Sequence, residues 1–335
     1  MMDPSRMSEF RSNLIKAACI AVVVSASALQ LSCGFAFATG GTSGTGYSQG
    51  PIEDFGSILV GDVWWDIDDA EITFDDEVGL EELLDFGQVV TVEGTLAADG
   101  LSGSATRVSF DDAVEGVISE EPDETVPGVE RELKVLGRTV VIDVVKTTFA
   151  GGATFEGLDE GHVIEVSGLV DGEVIYATWV ELLGDFEPNV SEAELRGVVE
   201  GLIENGDGSG EFDIGTVKVR YDGDTELEDF EGMSLMEGQL VEAIGVLTAV
   251  DELIANEIEL EKEGLGIEDA DSVELTGIVS GFVDAETPFT VSGVLVDASD
   301  AEIDGLLEEG AEIEVEGPLV GGVLIAEEIE VEGEG

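Results

Sequence analysis

Cysteine and histidine are almost absent from this chain, and their scarcity excludes several kinds of chemistry. Only two of the 335 residues are cysteines, Cys19 and Cys33, and the single histidine is His162. No disulfide can therefore stabilise the chain beyond Cys33. Zinc and redox metals lack their usual ligands there as well, so hard cations such as calcium are the metals that the composition leaves open.

Basic residues are scarce too. The sequence has 12 lysines and arginines against 77 aspartates and glutamates, which gives a net charge of −65. Nucleic acids and anionic membranes bind cationic surfaces, so this charge excludes both as partners and leaves cations or an envelope component. An acidic surface that keeps the protein soluble, as in a saline habitat, is the simpler interpretation. A specific cation site is the alternative.

Long apolar runs are missing except near the N-terminus. The run Ala17–Leu31 follows Arg6, Arg11 and Lys16, and a short apolar run with a basic flank is typical of a secretory signal. We therefore assign residues 1–38 to a signal peptide and expect an exported protein that is periplasmic, on the cell surface or extracellular. No other stretch is apolar enough to span a membrane.

Two processing routes fit this N-terminus. Cleavage after Ala36-Phe37-Ala38 would leave Thr39 as the first residue. Alternatively, Leu31-Ser32-Cys33-Gly34 resembles a bacterial lipobox, which would make Cys33 a lipid-modified N-terminus that anchors the protein. Gln30 stands where a lipobox usually has an aliphatic residue, and both routes remain open.

What the chain has in abundance is one pattern, Leu-x-x-Gly-x-x-apolar-x-apolar-x-Gly. It occurs four times, as Leu84–Gly94, Leu158–Gly168, Leu235–Gly245 and Leu307–Gly317. The alternation of apolar and polar residues predicts a half-buried strand. The Leu-x-x-Gly part predicts a last helical turn with a left-handed glycine cap. Intervals of 72 to 77 residues between the occurrences indicate four small units.

Further strands surround each copy of the pattern. A two-strand hairpin precedes it, with Gly61, Gly137, Gly215 or Gly293 at the turn. A final strand with the pattern Ala-x-x-Ile/Val follows it. Later units open with a strand that contains a glycine, which predicts a bulge or a sharp bend at a barrel corner. Five short strands favour a closed OB-like barrel, and an open sheet of four or five strands is the alternative.

The sequence thus predicts an all-β fold of four tandem small antiparallel OB-like β-barrels, each with a short helical turn before the fourth strand. Residues 39–50 have the Gly/Ser-rich composition of a flexible linker. We place the four repeats at residues 51–112, 113–187, 193–262 and 272–335. Brief acidic connectors predict that the barrels are arranged on a semi-flexible string.

Two acidic stretches are candidates for calcium, the only cofactor that we consider. Asp66 and Asp68 have some of the spacing of a calcium loop, but Glu71 stands where an EF-hand needs its glycine. Asp207 and Glu211 lie in a glycine-rich stretch that would let several oxygens converge. A polar hairpin loop without an ion is the simpler interpretation of that stretch.

Three other residues are candidate site residues. His162 would be the obvious general base, but the equivalent positions hold Gln88, Gln239 and Ala311, so a structural strand position explains it better. No catalytic residue is therefore assigned. Trp64 and Trp65 are adjacent and must point to opposite faces of a strand. The outward tryptophan would stack on a sugar ring or cover a neighbouring barrel.

The Gly/Ser-rich segment, the stretch Gly50-Pro-Ile-Glu-Asp-Phe-Gly-Ser-Ile-Leu-Val-Gly-Asp-Val63 and the repeated pattern that ends in Ala-x-x-Val together resemble a known family. It is the bacterial domain-of-unknown-function family numbered 5666, and the resemblance covers Gly50 to Val331. The resemblance implies tandem exported β-barrels behind a secretion or lipoprotein signal. It supplies no catalytic residue. This chain departs from the family pattern because it lacks a clear lipobox.

These observations predict a non-enzymatic surface or periplasmic protein that acts as a binding or spacer module. A calcium-binding or carbohydrate-binding envelope protein is the alternative, and a secreted hydrolase is the rival class. A scaffold preserves the symmetry of its repeats, whereas a catalytic site gathers residues from one repeat only.

Overall fold

A computed structural model describes residues 44–262 and 264–332 of the chain. Within these ranges every regular element is a β-strand, apart from one 3-10 helix at Glu81–Leu83. The prediction of an all-β fold is confirmed. The described residues contain no helix with the length and apolar character needed to cross a membrane. The predicted signal peptide and Cys33 lie outside the described residues.

The first segment forms a ring of paired strands. Its strands are β1 (Thr45–Asp54), β2 (Ile58–Val60), β3 (Val63–Asp66), β4 (Glu71–Phe74), β5 (Glu77–Val78), β6 (Val89–Leu96) and β7 (Ser102–Phe110). Antiparallel pairs join β1 to β2, β2 to β3, β6 to β7 and β6 to β1, and a parallel pair joins β3 to β7. The alternation predicted for β6 is observed, because Val90 and Val92 are buried and Thr91 is less so.

The second segment forms a five-stranded barrel with the same order of pairs. Its strands are β8 (Val114–Val117), β9 (Asp123–Val126), β10 (Glu130–Val135), β11 (Arg138–Asp143), β12 (Thr148–Ala150), β13 (His162–Asp171) and β14 (Val174–Asp185). The ring runs β8, β10, β11, β14, β13 and back to β8. Its third and last strands, β11 and β14, are again parallel.

The same order of pairs recurs in the fourth segment, and it recurs with one difference in the third. The third contains β15 (Glu192–Val198), β16 (Glu200–Glu204), β17 (Gly210–Ile214), β18 (Val217–Tyr221), β19 (Glu226–Glu228), β20 (Leu240–Ala249) and β21 (Glu252–Leu260). The fourth contains β22 (Asp269–Ser280), β23 (Phe289–Val291), β24 (Val294–Asp297), β25 (Glu302–Asp304), β26 (Glu312–Val320), β27 (Val323–Ile325) and β28 (Glu328–Val331). In the third segment β16, rather than β15, is paired to β17. The parallel pairs are β18 with β21 and β24 with β27.

The Leu-x-x-Gly part of the pattern folds differently from the prediction. Its glycine has a positive φ in all four copies, between 79° and 89°. The backbone N–H of the residue after the glycine donates to the carbonyl oxygen of the residue two positions before the glycine. In the second segment this bond runs from His162 to Asp159 at 3.2 Å. The four residues form a β-turn with the glycine in its third position. The glycine N–H bonds to the first strand, as from Gly161 to Ile118 at 2.9 Å. The prediction of a helical turn before the fourth strand was therefore wrong for the second, third and fourth segments.

Of the two alternatives predicted for the glycines of the opening strands, a bulge or a sharp bend, the bulge was wrong. Gly116, Gly197 and Gly277 sit in regular pairing. A side chain there would collide with the hairpin that crosses the strand, for example with Leu136 beside Gly116. The bulges lie instead in the last strand of the first three segments, where one extra residue stands opposite the last glycine of the repeated pattern. That glycine is required because a Cβ would meet a carbonyl oxygen of the last strand.

The segments pack against one another, so the prediction of barrels on a semi-flexible string was wrong. β1 pairs with β22 in parallel, which joins the first segment to the fourth. β8 pairs with β15, which joins the second segment to the third. Tyr47 of β1 is buried in the hydrophobic core of the fourth segment. Trp179 of the second segment is buried in the core of the first, where its ring meets Phe110 edge-on at 6.0 Å.

The predicted linker at residues 39–50 is partly strand. Thr45 to Gly50 belong to β1, and this strand pairs with both β6 and β22. The small residues fit the packing rather than a tether, because a Cβ on Gly46 would collide with Leu96 and Trp65. The prediction of a flexible tether was therefore wrong for this half of the stretch, and residues 39–43 lie outside the described residues.

Candidate functional site

A cavity of about 550 Å³ lies where the four segments meet. Its wall is rich in side-chain hydroxyl and amide groups, contributed by Gln49, Thr91, Ser109, Ser167, Thr276 and Ser292. β1, β6 and β7 provide the first three, β13 provides Ser167, and the fourth segment provides the last two. Polar side chains at these positions face the cavity because the opposite faces of their strands fill the barrel cores.

Two arginines also line the cavity, which is unusual in a chain with so little positive charge. Arg138 donates hydrogen bonds to the carbonyl oxygens of Gly172, at 3.3 Å, and of Arg196. Burial lowers the pKa of Arg138, an effect opposed by Glu173 and assisted by Arg196. Arg196 pairs with Glu261 at 2.8 Å. The Arg138 guanidinium thus joins the second and third segments, whereas Arg196 binds within its own segment.

Acidic groups lie near both arginines. Arg196 pairs with Glu261 and the charge of Glu173 acts on Arg138, so both guanidinium charges are offset by glutamates. Asp111 and Asp112 also lie in the wall of the cavity. Burial raises the pKa of Asp111 to about 7, helped by the negative charges of Asp75 and Asp76, so this aspartate adds only a partial negative charge near neutral pH. The hydroxyl and amide groups of the cavity can both donate and accept hydrogen bonds, which suits a neutral polar ligand.

One group of carboxylates in the described part of the chain has the geometry to hold a metal ion. It consists of Glu242 of β20 with Glu259 and Glu261 at the end of β21, whose ligand oxygens lie within 4.8 Å of one another. The sequence analysis missed this group because the residues are separated along the chain. A signal for it is present in the sequence. Glutamates alternate as Glu257-x-Glu259-x-Glu261 in the strand that follows the repeated pattern, and Glu242 is a polar position of that pattern.

The calcium candidates from the sequence are placed in separate turns and strands. The Asp66 carboxylate accepts the Asp68 backbone N–H at 3.2 Å. The Asp207 carboxylate accepts both the backbone N–H and the hydroxyl of Ser209, at 3.1 and 2.7 Å. Glu211 lies on β17 beside Lys218, at 3.8 Å. In the described structure these carboxylates make local turn contacts or ion pairs.

The histidine has a structural role, which is clear from the residues at the equivalent positions of the other repeats. The Nδ1 atom of His162 accepts the backbone N–H of Asp159 at 3.1 Å. The side-chain oxygens of Gln88 and Gln239 accept the equivalent N–H groups, at 2.7 and 2.6 Å. His162 thus closes the repeated β-turn in the same way as a glutamine. Its other ring nitrogen lies 3.8 Å from Asp185.

The two tryptophans point to opposite faces, as predicted. Trp65 is fully buried and donates from its ring nitrogen to the Ser48 hydroxyl at 3.0 Å. Trp64 is 40% exposed, and Leu101, whose carbonyl accepts the Trp64 backbone N–H, is 59% exposed. Trp64 therefore presents an accessible aromatic surface at a strand separate from the cavity wall.

Comparison with curated proteins gives no match. A solved structure described as "drosophila Unr CSD456" is similar over 67% of this chain and 98% of that chain, with 14% sequence identity and a TM-score of 0.17. The family described as "Domain of unknown function (DUF5666)" matches residues 115–181, 196–259 and 276–330. These ranges fall in the second, third and fourth segments and cover more than half of the chain. The chain therefore belongs to the DUF5666 family.

Proposed function

We propose that this protein is an exported, non-enzymatic binding module in which four OB-like barrels surround one ligand site. The observation that carries the proposal is the central cavity, which takes wall residues from every segment. The recurring order of strand pairs supports the arrangement as four barrels. A cavity of about 550 Å³ is within the range of small-molecule sites.

The ligand of this cavity is a small, neutral, hydroxyl-rich molecule such as a mono- or disaccharide. Gln49 and Thr91 show how the wall could bind such a ligand. The amide of Gln49 donates to the Thr91 hydroxyl at 3.2 Å, and both side chains can form further hydrogen bonds. The acidic neighbours Glu261 and Glu173 offset the two arginines, which disfavours a strongly charged ligand. The overall charge of −65 adds a repulsion against anionic ligands.

The non-enzymatic part of the proposal is supported by the symmetry of the repeats. The backbone contact of His162 is one that glutamines make in two other segments. Export is supported by the basic flank and apolar run of residues 1–38. A periplasmic, cell-surface or extracellular location would expose the cavity to envelope carbohydrate.

Saturation-transfer NMR with glucose, N-acetylglucosamine, maltose and cellobiose tests this function. We expect transfer to at least one of these sugars, and loss of that transfer in Thr91→Val, which removes a hydroxyl but keeps a β-branched side chain. Thr106→Val is the matched control, because Thr106 is exposed on β7 away from the cavity wall. Absence of transfer to every sugar would contradict the proposal. Loss of transfer in Trp64→Ala, with Thr91→Val unaffected, would move the sugar site to the exposed tryptophan.

A further inference from the structure

Glutamates line up across one outer face of the sheet that the second and third segments share. Glu165 of β13 is paired with Glu115 of β8, and Glu115 is paired with Glu194 of β15. Paired residues of antiparallel strands project from the same face, with Cβ atoms about 5 Å apart. Arg196 projects from that face two residues after Glu194, and it is paired with Glu242 of β20.

The row continues into the last strand of the third segment. Glu242 is paired with Glu259 of β21, and Glu261 follows two residues later. We call Glu194, Glu242, Glu259 and Glu261 the acidic seam. Like charges directly opposite one another destabilise a sheet unless something neutralises them. The acidic seam therefore needs protons, positive side chains or cations.

The spacing of the acidic seam fits a bound ion. The ligand oxygens of Glu242, Glu259 and Glu261 lie within 4.8 Å of one another. A calcium ion binds oxygens at 2.3 to 2.6 Å, so it can touch two oxygens that are up to about 5 Å apart. The three carboxylates can reach one ion without movement of the backbone. All the donors are oxygens, which is the set that hard cations prefer over transition metals.

A second and independent observation is a buried carboxylate oxygen that has no hydrogen-bond partner. Glu194 is only 6% exposed, and its Oε1 atom has no partner. Asp112 is 9% exposed, and its Oδ1 atom also has no hydrogen-bond partner. Glu194 lies on the same face of β15 as Arg196, two residues before it, and Arg196 is paired with Glu242. A buried polar atom without a partner usually indicates a missing ligand, water or ion.

The positive charge near the acidic seam is too small to balance it. Arg196 pairs with Glu261 at 2.8 Å and also donates to the carbonyl oxygen of Lys262 at 3.0 Å. One guanidinium group and the ammonium group of Lys262 thus stand against four glutamates. The negative charges of Asp75 and Asp111 add further repulsion at the same place.

We propose that the acidic seam is a binding site for a hard divalent cation, with Glu242, Glu259 and Glu261 as ligands and the Glu194 carboxylate completing the set. Calcium is the ion that fits this chemistry, because it accepts irregular sets of six to eight oxygens, whereas magnesium demands an octahedral arrangement. The site lies on the third segment, close to the acidic residues 75 and 111 of the first. A bound ion would therefore also reduce the repulsion between these two segments.

Calorimetric titration of the metal-free full-length protein with calcium chloride, in 0.15 M sodium chloride, tests the site. We expect saturable binding of one ion, reduced at least tenfold by Glu242→Gln and by Glu259→Gln. The matched control is Glu200→Gln, an exposed glutamate of the same segment, which should bind calcium as the unaltered protein does. Absence of saturable binding, or equal weakening in the control, would overturn the proposal in favour of diffuse screening.

Thermal unfolding separates loss of the site from loss of the fold. Glu242→Gln removes a repelling charge while keeping the shape of the side chain, so without calcium it should melt at the same temperature as the unaltered protein or higher. The increase in melting temperature on adding calcium should disappear in this variant. A calcium response that persists in Glu242→Gln but disappears in Asp207→Asn would place the ion in the β16–β17 hairpin loop and refute the acidic seam.

Discussion

Replacing Glu274 by glutamine should make the protein more stable at alkaline pH. Glu274 lies on β22 with 7% exposure, where it accepts the backbone N–H of Asp62 and is hydrogen-bonded to the Glu314 carboxyl group. Burial, followed by the contact with Glu314, raises the pKa of Glu274 from 4.5 to about 10. Two carboxyl groups in contact must share a proton, and a glutamine can take the place of the protonated acid. Its oxygen still accepts from Asp62 and its amide donates to Glu314.

The size of the effect follows from proton linkage. Between pH 4.5 and about 10 the folded chain keeps a proton on Glu274 that the unfolded chain has lost. The contribution of this group to stability is therefore greatest below pH 4.5 and falls as pH rises, by about 1.4 kcal/mol per pH unit. Between pH 6 and pH 8 the unaltered protein should lose roughly 3 kcal/mol more stability than Glu274→Gln loses.

Urea unfolding at pH 6, 7 and 8, followed by circular dichroism, measures this difference. The decrease of the unfolding free energy with pH should be smaller in Glu274→Gln by about 1.4 kcal/mol per pH unit, which corresponds to one bound proton. Glu268→Gln is the control, because Glu268 precedes the same strand and is exposed. Equal slopes in Glu274→Gln and the unaltered protein would refute the reasoning, since Glu274 would then be ionised in both states.

Three further predictions concern the core, the charge and the N-terminus. Val241→Asp should destabilise the third segment by several kcal/mol because it buries a carboxylate at a fully buried position, whereas Val198→Asp, at 46% exposure, should have a small effect in the same urea titration. The melting temperature should rise between 0.01 M and 0.15 M sodium chloride, because the Debye length falls from about 30 to about 8 Å and the net charge is −65; a flat profile by calorimetry would contradict this. Mass spectrometry of the protein from its native cell should find Thr39, or a lipid-modified Cys33, at the N-terminus, and an intact Met1 would contradict export.

The sequence was sufficient for the strands because their evidence is local. Val90 and Val92 alternate with polar residues, and the structure buries both. The turn glycines Gly61, Gly137, Gly215 and Gly293 all have positive φ, as a hairpin turn requires. Such features depend on neighbours within a few residues, so a repeated pattern reveals them four times.

The errors concern features that depend on distant residues. The Leu-x-x-Gly turn looks helical in isolation, but the glycine N–H bonds to the first strand of its own segment. The stretch that contains Thr45 looks like a linker until β22, more than 200 residues later, is placed beside it.

The candidate sites were missed for the same reason. The wall of the cavity joins Gln49 to Ser292, and the acidic seam joins Glu194 to Glu261. No spacing along the chain brings the residues of the cavity wall together. The alternation Glu257-x-Glu259-x-Glu261 was a signal for the acidic seam, but it does not stand out in a chain with 77 acids.

The most direct test of the packed arrangement is a disulfide between the first and fourth segments. A Cβ atom built on Gly44 lies 3.1 Å from the Cβ of Asp271, and the Thr45 backbone N–H donates to the Asp271 carboxylate at 3.0 Å. Disulfide-bonded residues have Cβ atoms about 3.5 to 4.5 Å apart, so a small adjustment suffices. With Cys19 and Cys33 changed to serine, the double variant Gly44→Cys, Asp271→Cys should form an intramolecular disulfide that changes its mobility in a non-reducing gel. Free thiols or only intermolecular dimers under oxidising conditions would contradict the pairing of β1 with β22 and restore the picture of independent barrels.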